Sequence, residues 1–157
     1  VQSLVGSEMC IRDSNTTTDI GSGGGMPGII VAIILKNMKN NMNVHLYEKS
    51  YHKSHFLKEV SKKLNLNTKI FQKNIFEIKN LETGTIMSRA FKPMPVVLEL
   101  VYENFSKYKN LIFFMGKSGK KIFENSKKNW ELEYIEKKSL TSEDSFLINI
   151  KKIKKKN

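Results

Sequence analysis

The sequence is short of the residues that staple, punctuate or span. It has one cysteine, Cys10, so no disulfide can close within the chain and a disulfide-built scaffold is excluded. A lone thiol suits a reducing, cytoplasmic setting. Only three prolines occur, Pro27, Pro93 and Pro95, which excludes collagen-like or proline-rich sequence. The longest apolar run, Ile29–Leu35, is far below the ~20 residues of a membrane-spanning helix. No Arg- or Lys-led apolar start with a small-residue cleavage site is visible, so no signal peptide and no membrane association are expected. Arginine is nearly absent: of 27 basic residues only Arg12 and Arg89 are not lysine. Acid is scarce too, and the 157 residues carry a net charge of +12. Such a surface favours a polyanion, nucleic acid first. The plain alternative is a solvated surface in a lysine- and asparagine-rich chain.

Glycine is concentrated where it counts. Asp19-Ile20-Gly21-Ser22-Gly23-Gly24-Gly25-Met26-Pro27-Gly28 joins a short extended segment to the apolar run. A turn this rich in glycine lets backbone approach a ligand with no Cβ in the way. Pro27 suits the first turn of a helix, whose free N–H groups would point back at the loop. The dinucleotide fingerprint G-x-G-x-x-G fails from Gly21, because its sixth position is Met26. From Gly23 it matches only formally, with Pro27 before the last glycine. The better fit is acidic-x-Gly-x-Gly-x-Gly, from Asp19 through Gly21 and Gly23 to Gly25. This resembles the first motif of Rossmann-like S-adenosylmethionine-dependent methyltransferases. Such a site needs an acid at the end of the next strand to grip ribose hydroxyls, and Val44–Glu48 ends in Glu48.

Residues 1–16 show no sustained period and read as a non-native tail, similar to translated sequencing-adapter sequence. A methyltransferase domain is expected over 17–153, and 154–157 as a basic tail. From Asp19 onward strands and helices alternate. Helices are expected over about 27–39 and 51–64, the second burying Phe56, Leu57, Val60 and Leu64. Another begins near Pro95 and buries Val97, Leu98, Val101 and Phe105, and a short one covers 120–127. Strands are expected at 16–20, 43–48, 68–73, 85–88 and 111–115. The last is continuously apolar, as a strand buried on both faces should be. Then the period becomes two: Trp130, Leu132 and Tyr134 alternate with Glu131 and Glu133, and Phe146, Ile148 and Ile150 repeat the pattern. With a turn over 141–145 this reads as an antiparallel hairpin. The expected architecture is α/β: a mostly parallel Rossmann-like sheet closed by a C-terminal antiparallel hairpin.

The acceptor chemistry can be narrowed. Carbon-5 methylation of a pyrimidine needs a cysteine nucleophile, and Cys10 lies in the suspect tail. Adenine amino methylation usually shows Asn/Asp-Pro-Pro-aromatic after the fourth strand, where this chain has Ser88-Arg89-Ala90-Phe91. Guanine N7 has a free lone pair and no proton to lose, so it requires no general base. Arg89 stands out as the only arginine beyond the tail. Its planar fork suits a phosphate, a carboxylate or a stacked base, and an ordinary ion pair is the alternative. His52 and His55 lack further ligands at suitable spacing, so no metal is expected.

Taken together, Asp19–Ile29, Phe56–Val60, Ser88–Phe91 and Phe114–Lys117 closely resemble the RsmG (GidB) family of bacterial 16S ribosomal RNA guanine-N7 methyltransferases. Gly116-Lys117 reverses that family's Lys-Gly order. The resemblance implies S-adenosyl-L-methionine as cofactor and a guanine of 16S rRNA in the small ribosomal subunit as acceptor, acted on by a monomer. It places cofactor contacts at Gly21, Met26, the Ile75-Phe76 pair and Arg89, with Glu48 on the ribose, and the glycine motif adds Asp19, Gly23 and Gly25. Arg89 would position the acceptor, with no catalytic base. The family also carries a helical segment before the first strand that has no counterpart here. Two alternatives remain open: a related methyltransferase with another acceptor, and an RNA-binding fragment that keeps the fold without activity.

Overall fold

A computed structural model describes residues 15–139, 142 and 144–157. Cys10 and Arg12, and all but the last two residues of the 1–16 stretch, lie outside the described residues. The first half runs β1 (Thr16–Ile20), α1 (Gly28–Asn37), β2 (Asn43–Tyr47), α2 (Tyr51–Lys63), β3 (Thr68–Phe71) and a 3-10 turn (Ile75–Glu77). Then come β4 (Leu81–Glu82), β5 (Thr85–Arg89), α3 (Met94–Asn104), β6 (Phe105–Lys107) and β7 (Asn110–Met115). The chain continues with α4 (Gly119–Ser126), β8 (Trp130–Lys138) and β9 (Phe146–Lys155).

The main sheet has the order β3-β2-β1-β5-β7-β9-β8. β3, β2, β1, β5 and β7 are mutually parallel. β9 is antiparallel to both β7 and β8, so the later strand of the hairpin is the inner one. Winding reverses beside β1, which pairs β2 on one side and β5 on the other. The carboxyl ends of strands at such a switch point form the crevice where open α/β sheets bind ligands, and the glycine loop leaves β1 there.

Successive strand residues face opposite layers. Ile86 packs into a cluster with Val97, Leu98 and Val101 of α3 and Phe123 of α4. Its neighbour Met87 packs into the other, with Val31, Ala32 and Leu35 of α1 and Leu57 of α2. Each face of the sheet thus carries its own apolar layer. Among the described residues, no helix is long and apolar enough to cross a membrane.

Several expectations need correction. On α2 the buried stripe is Ser54, Leu57 and Ser61, while Phe56 is 50% exposed and Leu64 43% exposed. The helix is turned so that its small serines meet the sheet, which places Phe56, one position from Leu57, outside. β3 stops at Phe71, because the chain turns at Asn74 into the 3-10 turn that Asn74 caps through Phe76 N–H. Thr16 opens β1 and pairs with Asn43, as the strand expected over 16–20 requires. Lys154 and Lys155, expected in a basic tail, are the end of β9 and form ion pairs with Glu131 and Glu99. The turn over 141–145 lies partly outside the described residues. A small parallel ladder, β4 with β6, had no sequence signal.

Candidate functional site

The loop after β1 is held by its own backbone and by two carboxylates. The N–H groups of Gly21 and Ser22 both donate to the Tyr47 carbonyl, at 3.0 and 3.1 Å, which ties the loop to the end of β2. Gly21 and Gly23 have φ of +69° and +53°, the left-handed region where a side chain is strained. The Glu48 carboxylate accepts from the Gly23 N–H at 2.9 Å and the Ser50 N–H at 2.8 Å. It therefore joins the loop to the start of α2, and it stands 8% exposed at the loop's edge.

Asp19 works on the inner side. Its Oδ2 accepts from the Gly28 N–H at 3.0 Å, a free donor of the α1 N-terminus. The Ser22 hydroxyl donates to the Asp19 carbonyl at 3.1 Å. A Cβ on Gly28 would stand 2.6 Å from that carboxylate oxygen, so only glycine lets strand and helix close this far. Burial pushes the Asp19 carboxyl up to about 7; the hydrogen bond from Gly28 opposes it, and the charge of Glu48 adds to it.

Beside this loop lies a cleft of about 420 Å³, lined by Gly21, Gly23, Tyr47, Glu48, Ile75, Phe76, Ala90 and Phe91. Lys49, Lys53, Lys73 and Lys92 line it as well. The Phe91 ring lies on Gly21, where a Cβ would come within 1.9 Å of it. Phe76 faces Phe91 with ring centroids 5.9 Å apart. Asn104, at the end of α3, holds the Phe76 wall from behind. Its side-chain amide donates to the carbonyls of Ile75, Phe76 and Ile78 at 3.3, 3.0 and 2.7 Å.

The structure thus gathers Gly21, Gly23, Glu48, Ile75 and Phe76 in one cleft. Met26 and Arg89 line a second cleft of about 300 Å³, with Pro27, Phe114, Met115, Gly116, Phe146 and Leu147. Asp19 and Gly25 line neither. Asp19 shapes the loop, and a Cβ on Gly25 would stand 2.6 Å from Ile29 and 3.0 Å from Leu57. Sequence reasoning missed Gly28, Phe91, Asn104 and the four cleft lysines. Phe91 was within reach, since it follows Ser88-Arg89-Ala90 directly. Asn104 carries no local signal, because its partners are 26 to 29 positions away. Among the described residues no cluster of His, Cys, Asp and Glu could hold a metal, and His55 instead lies 3.6 Å from Glu59.

A family described as GidB, rRNA small subunit methyltransferase G, matches residues 1–148. The ribosomal RNA small subunit methyltransferase G of Pelagibacter ubique is 64% identical over 92% of this chain and 68% of its own length. The chain belongs to the rRNA small subunit methyltransferase G family. The enzyme of that name from Ruegeria sp. is 27% identical over 87% of this chain and 67% of its own length. Solved structures show the same fold. A putative methyltransferase of Escherichia coli, yhhF, has a TM-score of 0.66 at 13% identity, covering 96% of this chain and 85% of its own. The 16S rRNA methylase RmtB has a TM-score of 0.63 at 7% identity, covering 96% and 62%. TrmK of M. capricolum, solved with S-adenosylhomocysteine, has a TM-score of 0.60 at 18% identity, covering 87% and 62%.

Proposed function

We propose that this methyltransferase G family chain binds S-adenosyl-L-methionine in the first cleft and methylates N7 of a guanine in the 16S RNA of the small ribosomal subunit. The first cleft carries the reading. Its residues fit the cofactor: Gly23 presents bare backbone, and the atom nearest to where a Cβ would stand is 3.9 Å away. Glu48 spends one hydrogen bond on each carboxylate oxygen and keeps a further lone pair on each for ribose hydroxyls. Phe76 and Phe91 supply apolar walls of the kind that hold a planar base. When bound, S-adenosylmethionine supplies a methyl group on a positively charged sulfur, which an acceptor lone pair displaces. Guanine N7 offers that lone pair and carries no proton, so the chain's part is to orient, to exclude water and to hold the acceptor.

Isothermal calorimetry with S-adenosylmethionine tests the cofactor site. Gly23→Val strains a backbone at positive φ and fills the cleft, and it should weaken binding at least about tenfold. Equal affinity in wild type and variant would remove the assignment. The acceptor is read by incubating unmodified small subunits with protein and cofactor. Borohydride and aniline then cleave the RNA wherever a guanine carries an N7 methyl. Incorporated methyl without such a cleavage would move the acceptor to another atom or base.

A further inference from the structure

A buried hydroxyl on the other face of the sheet lacks a partner. Successive residues of β5 alternate, so Ser88 shares a face with Ile86, toward the layer of α3 and α4, and Arg89 takes the opposite one. Ser88 is 3% exposed. Its hydroxyl makes no hydrogen bond among the described residues, and it lines a third cavity, of about 220 Å³. A buried donor without a protein partner is a place for a ligand or a water.

Two helices begin at the rim of this cavity. Pro93 and Met94 bring α3 to it, and Gly116, Ser118 and Gly119 bring α4. Elsewhere the first turns are answered: Asp19 accepts from the first N–H of α1, and Ser50 caps α2. No side chain caps α3 or α4. In α4 the Gly119 N–H goes to the Gly116 carbonyl at 2.9 Å, and those of Lys120 and Lys121 have no partner among the described residues. Such free N–H groups carry the positive end of the helix dipole. Gly119 has to be glycine, because a Cβ there would stand 2.7 Å from Met115 Cβ. Gly116 does not, since a Cβ there would meet nothing within 4 Å. The pair Gly116-Lys117, reversed from the family's order, thus leaves bare backbone at the cavity without a packing reason. Lys92 lines the cavity too, and none of its lining residues is Asp or Glu.

We propose that Ser88 and the loop 116–121 form a phosphate-binding site, separate from the cofactor. A buried hydroxyl and uncapped helix N–H groups are the donors that take phosphate oxygens, and Lys92 answers the charge. Lys92 also lines the first cleft, so the two sites adjoin on the surface. The phosphate has two sources of the same chemistry: the backbone of an RNA strand that passes the cofactor, or a small free phosphate. The RNA source rests on the functional reading above, and the phosphate site itself does not.

The test titrates the full chain with inorganic phosphate at constant ionic strength and follows the amide signals of Lys120 and Lys121 by NMR. Ser118→Asp sets a carboxylate at the start of α4, where it answers the same N–H groups and keeps the helix. Ser88→Ala removes the hydroxyl. Lys154→Gln on β9 lowers the net charge by as much as Ser118→Asp does, and Lys154 does not line the cavity. Wild type should show saturable shifts, with S-adenosylmethionine present as well as without it. Ser118→Asp should lose them, Ser88→Ala should bind about tenfold more weakly, and Lys154→Gln should match wild type. Shifts that do not saturate in wild type, wild-type affinity in both site variants, or an equal loss in Lys154→Gln would each overturn the site. Shifts abolished by S-adenosylmethionine would merge it with the cofactor cleft and overturn it too. Ser118→Asp keeps the test decisive if Ser88→Ala does not fold. A second arm reads 16S RNA affinity against salt. A slope of log K against log salt that is shallower by about 0.7 in Ser118→Asp than in Lys154→Gln assigns the site to an RNA backbone phosphate, and equal slopes assign it to a small phosphate. A wild type that binds no S-adenosylmethionine would remove the functional reading and leave the phosphate titration standing.

Discussion

A single carboxyl decides how tightly the glycine loop is held. Asp19 is fully buried, touches the α1 N-terminus through Gly28, and has its titration raised from 3.8 to about 7. The folded state therefore keeps a proton that the unfolded chain gives up above 3.8. Its contribution to stability is fully present below that value and is lost as pH rises through about 7. An asparagine in its place would have the same shape and the same acceptor oxygen but no charge. Urea unfolding of wild type and Asp19→Asn at pH 7.5 and pH 5 should show wild type gaining about 2 kcal/mol relative to the variant on acidification. Parallel pH profiles would mean that the carboxyl is charged in the folded protein. The role of Asp19 was half legible: the sequence placed an acid before the glycines, but not that it would face the helix and leave the cleft to Glu48.

At the scale of elements, the first cleft depends on a strut from a helix distant in sequence but packed in the same apolar layer. Asn104 lies at the end of α3 and fixes the 3-10 turn that carries Phe76. Asn104→Ala would leave the carbonyls of Ile75, Phe76 and Ile78 without that donor, at about 1–3 kcal/mol of stability. It should also lower cofactor affinity, since the Phe76 wall loses its support; calorimetry at a temperature where both proteins are folded reads this directly. Unchanged affinity with lowered stability would make Asn104 a folding residue only. Elements with a sustained period were visible in the sequence. The alternation in 130–134 and 146–150 gave the hairpin, and Val97, Leu98 and Val101 are buried as the helical spacing requires. What escaped is either too short to show a period, as with β4 and β6, or decided by tertiary contact. Nothing local says that Ser54 and Ser61 meet the sheet while Phe56 does not. Nor does sequence show that Arg89 and Ala90, adjacent in the chain, serve different clefts.

Across the whole molecule the charge of +12 is unevenly answered. Lys120, Lys127, Lys154 and Lys155, on α4, β9 and the segment between α4 and β8, have glutamate partners. Lys49, Lys53, Lys73 and Lys92 at the first cleft form no ion pair among the described residues. Four lysines gathered at one cleft without glutamate partners favour a phosphate backbone approaching from that side. RNA affinity should therefore fall steeply with salt, and changing Lys49 and Lys73 to Gln should reduce the slope of log K against log salt by about 0.7 per lysine. Changing Lys120 and Lys154 to Gln should leave the slope nearly as it was. A flat titration of the wild type would reduce the lysines to a solvated surface.

The position of β9 between β7 and β8 has a consequence in time. A ribosome makes β8 first, yet β8 has no place in the sheet until β9 has paired with β7. During that interval Trp130 and Leu132 belong to an edge strand whose one neighbour in the sheet, β9, is not yet in place. Translation at ~5–20 residues per second makes the wait on the order of seconds. For that long the nascent chain offers a chaperone the Trp130 and Leu132 side of β8, and the second cleft, which Phe146 lines, does not yet exist.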